Sequence, residues 1–228
     1  MEYLYNNILS HEIFIFDFDG IIIDSERIHN QCWNKVLEKY NINFDYYNYC
    51  KTFHTNENDG IKKNLEYNYN IDNFNELCNE KNNLYHEFVI NNDMNLIQGI
   101  NIFLQFLNNN NKPIIIATNT NKNNVEYIFN KYLSNIRLTD IISREIIQNK
   151  KPNPEIYNII AKKYGIDKKY VLFEDSLSGI TSVSKSLLNN NKLFFLNNLE
   201  YYHYNDIMNN YNVIHIDKYD LNNINNNL

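Results

Sequence analysis

The chain has 228 residues, 43% of them apolar, which is enough for one globular core with a small insert and too apolar for a disordered chain. Its net charge of −6 excludes the dense basic surface that nucleic-acid backbones and anionic membranes require, leaving a small-molecule partner as the default. No apolar run approaches the roughly 18 residues of a membrane-spanning helix, and the opening MEYLYNNILSHE lacks the marks of a secretory leader, so a cytoplasmic protein is expected; a monomer is the default expectation for its assembly, which no sequence feature sets.

The first β-rich run, Ile13 to Phe16, ends in Asp17-Phe18-Asp19-Gly20. The next, Ile114 to Ala117, lies much too far along for one crossover helix, so something is inserted between them. Its content reads as helical: residues 25–40 form one candidate, and Phe74, Leu77, Cys78, Leu84, Tyr85 and Phe88 share a face of another. A small α-helical cap over residues 26–95 is therefore expected, spliced into a core made of residues 1–25 and 96–228. Downstream, the stripes Ile100/Phe103/Leu104/Leu107, Val125/Ile128/Phe129/Tyr132 and Ile156/Ile159/Ile160 alternate with the runs 140–143, 170–173, 193–196 and 213–216. That alternation predicts an α/β fold, a Rossmann-like parallel sheet with helices on both faces. Cys32, Cys50 and Cys78 are odd in number and too widely spaced for a CxxC pair, which suits a reducing compartment. The 48 asparagines, against two alanines, read as compositional drift filling loops and helix ends.

Ligands of open parallel sheets bind beyond the carboxyl ends of the strands. Those ends carry Asp17 and Asp19, then Thr118-Asn119, then Glu174-Asp175, with Lys151 entering the helix after the third run. Four carboxylates gathered there would repel one another unless a cation were present, and an all-oxygen set favours Mg²⁺. Asp17 is placed to attack phosphorus as a carboxylate nucleophile. Asp19, two residues on, could protonate the leaving oxygen and later activate water. Gly20 allows a sharp turn that brings its amide near the phosphoryl group, where Thr118 and Asn119 would add donors and Lys151 positive charge. The predicted partner is a small phosphorylated metabolite.

Asp17-Phe-Asp19-Gly20-Ile-Ile-Ile-Asp24-Ser25-Glu26, Thr118-Asn119, Lys151-Pro152-Asn-Pro154 and Glu174-Asp175-Ser176-x-x-Gly179 together resemble the four motifs of the haloacid dehalogenase-like hydrolase superfamily. The similarity runs in order over nearly the whole chain. It is to the branch with a helical cap after the first motif, which includes β-phosphoglucomutase, phosphoglycolate phosphatase and pseudouridine-5′-phosphatase-like enzymes. The resemblance implies Asp17 as nucleophile, Asp19 as general acid/base, Thr118 and Lys151 as phosphate binders, and Asp17, the Asp19 carbonyl, Glu174 and Asp175 around Mg²⁺. It implies an Mg²⁺-dependent phosphatase acting on a small phosphomonoester, such as a sugar phosphate or nucleoside monophosphate, through an aspartyl-phosphate.

In the insert, His29 and Trp33 stand four apart on one helical face. Trp33 is read as packing within the cap, and His29 as a candidate for the cleft. Phe53, His54 and Thr55 lie in the cap segment where substrate selection is expected. The mutases of the branch usually carry a Gly and an Arg in that segment, whereas His54 and Glu57 stand near those places here. A sugar phosphomutase is thus the runner-up, and a phosphate-metabolite-binding protein without turnover is the alternative of another class. A receiver-type signalling domain fits less well, since its phosphorylated Asp would fall where this chain has Ser143.

Overall fold

The structure, a computed structural model, describes residues 5–53, 60–196 and 204–228. Among the described residues six strands form one all-parallel sheet: β1 (Ile13–Phe16), β2 (Ile114–Ala117), β3 (Asp140–Ile142), β4 (Tyr170–Glu174), β5 (Lys192–Leu196) and β6 (Ile214–Ile216). Their spatial order is β3-β2-β1-β4-β5-β6. The chain therefore winds one way from β1 through β2 and β3 and the other way from β4 onward. The crevice opened by this reversal lies past the carboxyl ends of β1 and β4. All six strands were foreseen as runs, with ends moved by a residue or so where pairing decides the boundary.

Alternation along each strand sends side chains to two apolar layers. Phe14, Phe16, Ile114, Ile116, Val171 and Phe173 join one layer, where α6 (Ile100–Asn109) and α7 (Lys122–Tyr132) cover the sheet. Ile13, Ile15, Ile115, Tyr170 and Leu172 join the other, under α8 (Glu155–Tyr164) and α9 (Leu177–Ser184). Burial on both faces explains why β1 reads as an unbroken apolar run, IFIF, with no polar alternation.

Between β1 and α6 lie α2 (Glu26–Leu37), α3 (Tyr46–Phe53), α4 (Gly60–Tyr69) and α5 (Phe74–Asn91). These helices hold an apolar cluster of their own, including Trp33, Val36, Leu37, Phe44, Leu65 and Leu77. Helix α2 stops earlier than the expected 25–40 span: a 3₁₀ turn takes over at Glu38–Tyr40, and Asn41 adopts a left-handed conformation. The two segments that join these helices to the sheet run side by side. Asp24 N donates to Asn95 O at 2.9 Å and Ile97 N to Ile22 O at 3.0 Å. No helix among the described residues is long and apolar enough to cross a membrane.

Candidate active site

Asp17 is the first residue beyond β1, and its backbone N–H still donates to Phe173 O of β4 at 3.0 Å. The chain then turns at Gly20, whose φ of 71° is left-handed. A Cβ there would overlap the Asp175 carboxylate, so both the backbone angle and the close approach require glycine. Gly179, in the first turn of α9, gives the same clearance to the Glu174 carboxylate. Two glycines thus let three acidic groups crowd one point. Asp17, Glu174 and Asp175 each offer an oxygen within 4.8 Å of the others.

Lys151, buried beneath them, donates to Glu174 Oε1 at 2.6 Å and to Ala117 O at 2.7 Å, and pairs with Asp17 Oδ1 at 3.1 Å. Burial works to lower the pKa of this lysine, and Asp17 and Glu174 outweigh it, so the net shift is upward. One cation among three carboxylates is not enough for neutrality. Burial, and then Glu174 and Asp19 against the pull of Lys151, push Asp17 up to about 8. Asp175 lies well above the usual carboxylate range, through burial and then through Glu26, Asp17 and Glu174.

The residues present fit a hard divalent cation. Glu174 Oε2 and Asp175 Oδ2 are buried without a hydrogen-bond partner among the described residues, a costly arrangement unless something positive meets them. The set is all oxygen, with no His or Cys in the group. The Asp19 side chain stands outside it. Its Oδ1 accepts from Ser25 Oγ at 2.6 Å, Tyr85 OH at 2.8 Å and His29 Nε2 at 3.1 Å, and its Oδ2 from Thr120 Oγ1. Burial would raise the Asp19 pKa, but His29, Ser25 and Thr120 outweigh it and hold the group below the usual range.

His29 in turn meets Lys81 Nζ at 2.7 Å through Nδ1. Residues from α2 and α5 thus reach across to the loop after β1. Thr118 is buried, its Oγ1 accepting from Thr120 N at 3.0 Å. Asn119 holds the Lys151 backbone, accepting from its N–H at 3.1 Å. The helix that follows is capped by Asn121, which accepts from Asn124 N at 2.9 Å.

Asp17, Asp19, His29, Thr118, Asn119, Lys151 and Asp175 line one cleft of about 330 Å³, with Gly20 packed against Asp175 and Glu174 bonded to Lys151 behind that lining. His54 lies outside the described residues. Trp33 packs in the apolar cluster of the inserted helices, stacked on Phe74 with ring centroids 6.1 Å apart, and its edge also lines the cleft. Sequence reasoning missed Lys81, Tyr85, Thr120 and Tyr157. Lys81 left one trace, being a charged residue four from both Leu77 and Tyr85 on an otherwise apolar stripe.

A family model described as haloacid dehalogenase-like hydrolase matches residues 14–189. The chain is 24% identical over 187 residues to a phosphorylated carbohydrates phosphatase of Thermotoga maritima, covering 77% of this chain and 81% of the relative. It is 23% identical over 180 residues to a probable pseudouridine-5′-phosphatase of Drosophila melanogaster, covering 75% of this chain and 77% of the relative. Its fold is similar to the crystal structure of β-phosphoglucomutase from Clostridium difficile, with a TM-score of 0.71 and 24% identity over 93% of this chain and 92% of that one.

Proposed function

The chain belongs to the haloacid dehalogenase-like hydrolase family, and from that membership and the site geometry we propose that it is an Mg²⁺-dependent phosphatase of small phosphomonoesters working through Asp17. One observation carries the reading. Asp17 shares a lysine with Glu174 and a cluster with Asp175, at the crevice where β1 and β4 part, and two oxygens of that cluster have no hydrogen-bond partner among the described residues. The phosphatase relatives support the reaction class, and the carbohydrate phosphatase among them supports a phosphorylated sugar or similar metabolite as substrate.

In the proposed reaction an Asp17 carboxylate oxygen bonds to phosphorus as the bond to the leaving oxygen breaks, and Asp19, which must first take up a proton against the donors that hold it ionised here, passes that proton to the leaving oxygen. Water then adds to phosphorus, Asp19 takes its proton, and the bond to Asp17 breaks to release phosphate. Asp17, Glu174, Asp175 and the Asp19 carbonyl would hold Mg²⁺, which when bound supplies positive charge to the transferring phosphoryl group. Lys151 contributes charge to the same end, and Thr118 and Asn119 contribute donors. The inserted helices, residues 26–95, act as a cap that shuts water from the site, with His29 facing the substrate and His54, outside the described residues, proposed from sequence alone as a substrate-selecting residue. The protein is read as a cytoplasmic monomer.

Because four donors orient Asp19, loosening one should cost rate. Thr120→Val keeps the side-chain shape and removes the hydroxyl that meets Asp19 Oδ2. Steady-state kinetics should show kcat down about ten- to a hundredfold with KM and thermal stability little changed.

The reading is tested by phosphate release from a panel of sugar phosphates, nucleoside monophosphates, phosphoglycolate and an aryl phosphate, with Mg²⁺ or with EDTA. Release with Mg²⁺ that stops with EDTA is expected. Isomerisation of a sugar phosphate without net release would assign a mutase, and binding with neither reaction would assign a carrier.

A further inference from the structure

Glu174 is wholly buried, and its two carboxylate oxygens have opposite fates. Oε1 accepts from Lys151 Nζ at 2.6 Å and also from the phenol hydroxyl of Tyr157. Oε2 has no partner among the described residues. The terminal torsion of a glutamate is soft and roughly two-fold, so an unrestrained carboxylate would exchange its oxygens readily. Two donors on one oxygen remove that freedom. Lys151, however, is shared with Asp17 and with Ala117 O, whereas the one hydroxyl proton of Tyr157 goes to Glu174 alone.

Tyr157 comes from the first turn of α8, and its ring lies in the apolar layer beneath the sheet with Ile156, Ile160 and Leu172. The Lys151 ammonium sits 5.2 Å from the centroid of that ring. A phenylalanine would fill the same volume, so packing does not account for the hydroxyl. It is a polar atom carried into an apolar layer, and its hydrogen bond goes to Glu174.

We propose that Tyr157 is a positioning residue for the divalent cation: its hydroxyl holds Glu174 by Oε1 so that Oε2 is presented to the cation with Asp17 and Asp175. This deepens the phosphatase reading and rests on it for the presence of the cation. Partners of metal ligands typically govern metal affinity by about 10- to 100-fold.

The test is Mn²⁺ binding followed by electron paramagnetic resonance, without substrate, on wild type, Tyr157→Phe, Glu174→Gln and the double variant. Tyr157→Phe should weaken Mn²⁺ binding about tenfold, while KM for an aryl phosphate at saturating metal and the circular dichroism spectrum stay as in wild type. In the Glu174→Gln background the same change should have no further effect, because the hydroxyl acts through Glu174. Equal Mn²⁺ affinity of Tyr157→Phe and wild type would overturn the proposal. So would a loss that persists in the Glu174→Gln background, which would mark a merely structural role. Wild type that binds no Mn²⁺ yet releases phosphate in EDTA would overturn it together with the cation while leaving the phosphatase standing.

Discussion

Asp17→Asn is expected to lower kcat by at least about 10⁴-fold, the scale on which enzymes lose rate when a nucleophile is removed. The amide matches the carboxylate in shape and cannot form the acyl phosphate. The same change should not damage the fold. Asp17 is a buried carboxylate beside two others, and its pKa is pushed up to about 8 by burial and by Glu174 and Asp19, despite Lys151. Asparagine is a neutral isostere of the protonated side chain that this raised pKa favours, so it adds no unmet charge, and Lys151 keeps Glu174 and Ala117 O as acceptors. Thermal unfolding at least as high as wild type, together with lost turnover, is the expected pair of results. A variant that keeps more than a few per cent of the wild-type rate would remove Asp17 from the chemistry.

Lys151→Met has the second largest expected effect, and it falls on stability as well as rate. The ammonium is buried among Asp17, Glu174 and a backbone carbonyl. Removing one partner of a buried charge cluster leaves uncompensated charge, at a cost of about 3–5 kcal/mol. Methionine fills most of the space, so little of that loss should come from a cavity. Since what is missing is positive charge, millimolar Mg²⁺ should restore part of the stability of the variant and raise its unfolding temperature more than that of wild type. Urea unfolding with and without Mg²⁺ reads this directly. Equal loss in both conditions would show that Lys151 serves packing and not charge balance.

The sequence reading went furthest where strand ends and chemistry coincide. Asp17, Thr118 and Glu174-Asp175 stand at the ends of short apolar runs, with Lys151 in the turn that enters the helix after the third, and a parallel sheet brings the ends of such runs together whatever lies between. The layers under the sheet were legible for a similar reason, since Ile100/Phe103/Leu104/Leu107 keep one helical stripe and all four are buried. Tyr85 could not be read the same way. It meets Asp19 across 66 positions of sequence, and on its own helix it looks like one more apolar residue. Thr120 stands two residues past Thr118 in a turn where either hydroxyl could face inward, and only the folded turn points it at Asp19. Tyr157 was hidden by its own stripe, because nothing in helical spacing separates a packing aromatic from one whose hydroxyl serves a neighbour. His29 was a candidate from its place beside Trp33 in the first inserted helix, while its partner Lys81 sits on a different helix 52 positions away.

The central claim is that phosphate passes through Asp17, and the most direct test is to catch it there. Wild-type protein mixed with its best substrate and Mg²⁺, quenched in acid within a turnover and digested, should yield the peptide spanning 13–20 heavier by one phosphoryl group, with fragmentation placing it on Asp17. The modification should be absent in Asp17→Asn and should decay when the quench is delayed past substrate exhaustion. Steady phosphate release with no phosphorylated Asp17 at any quench time, or the same release from Asp17→Asn, would contradict the account.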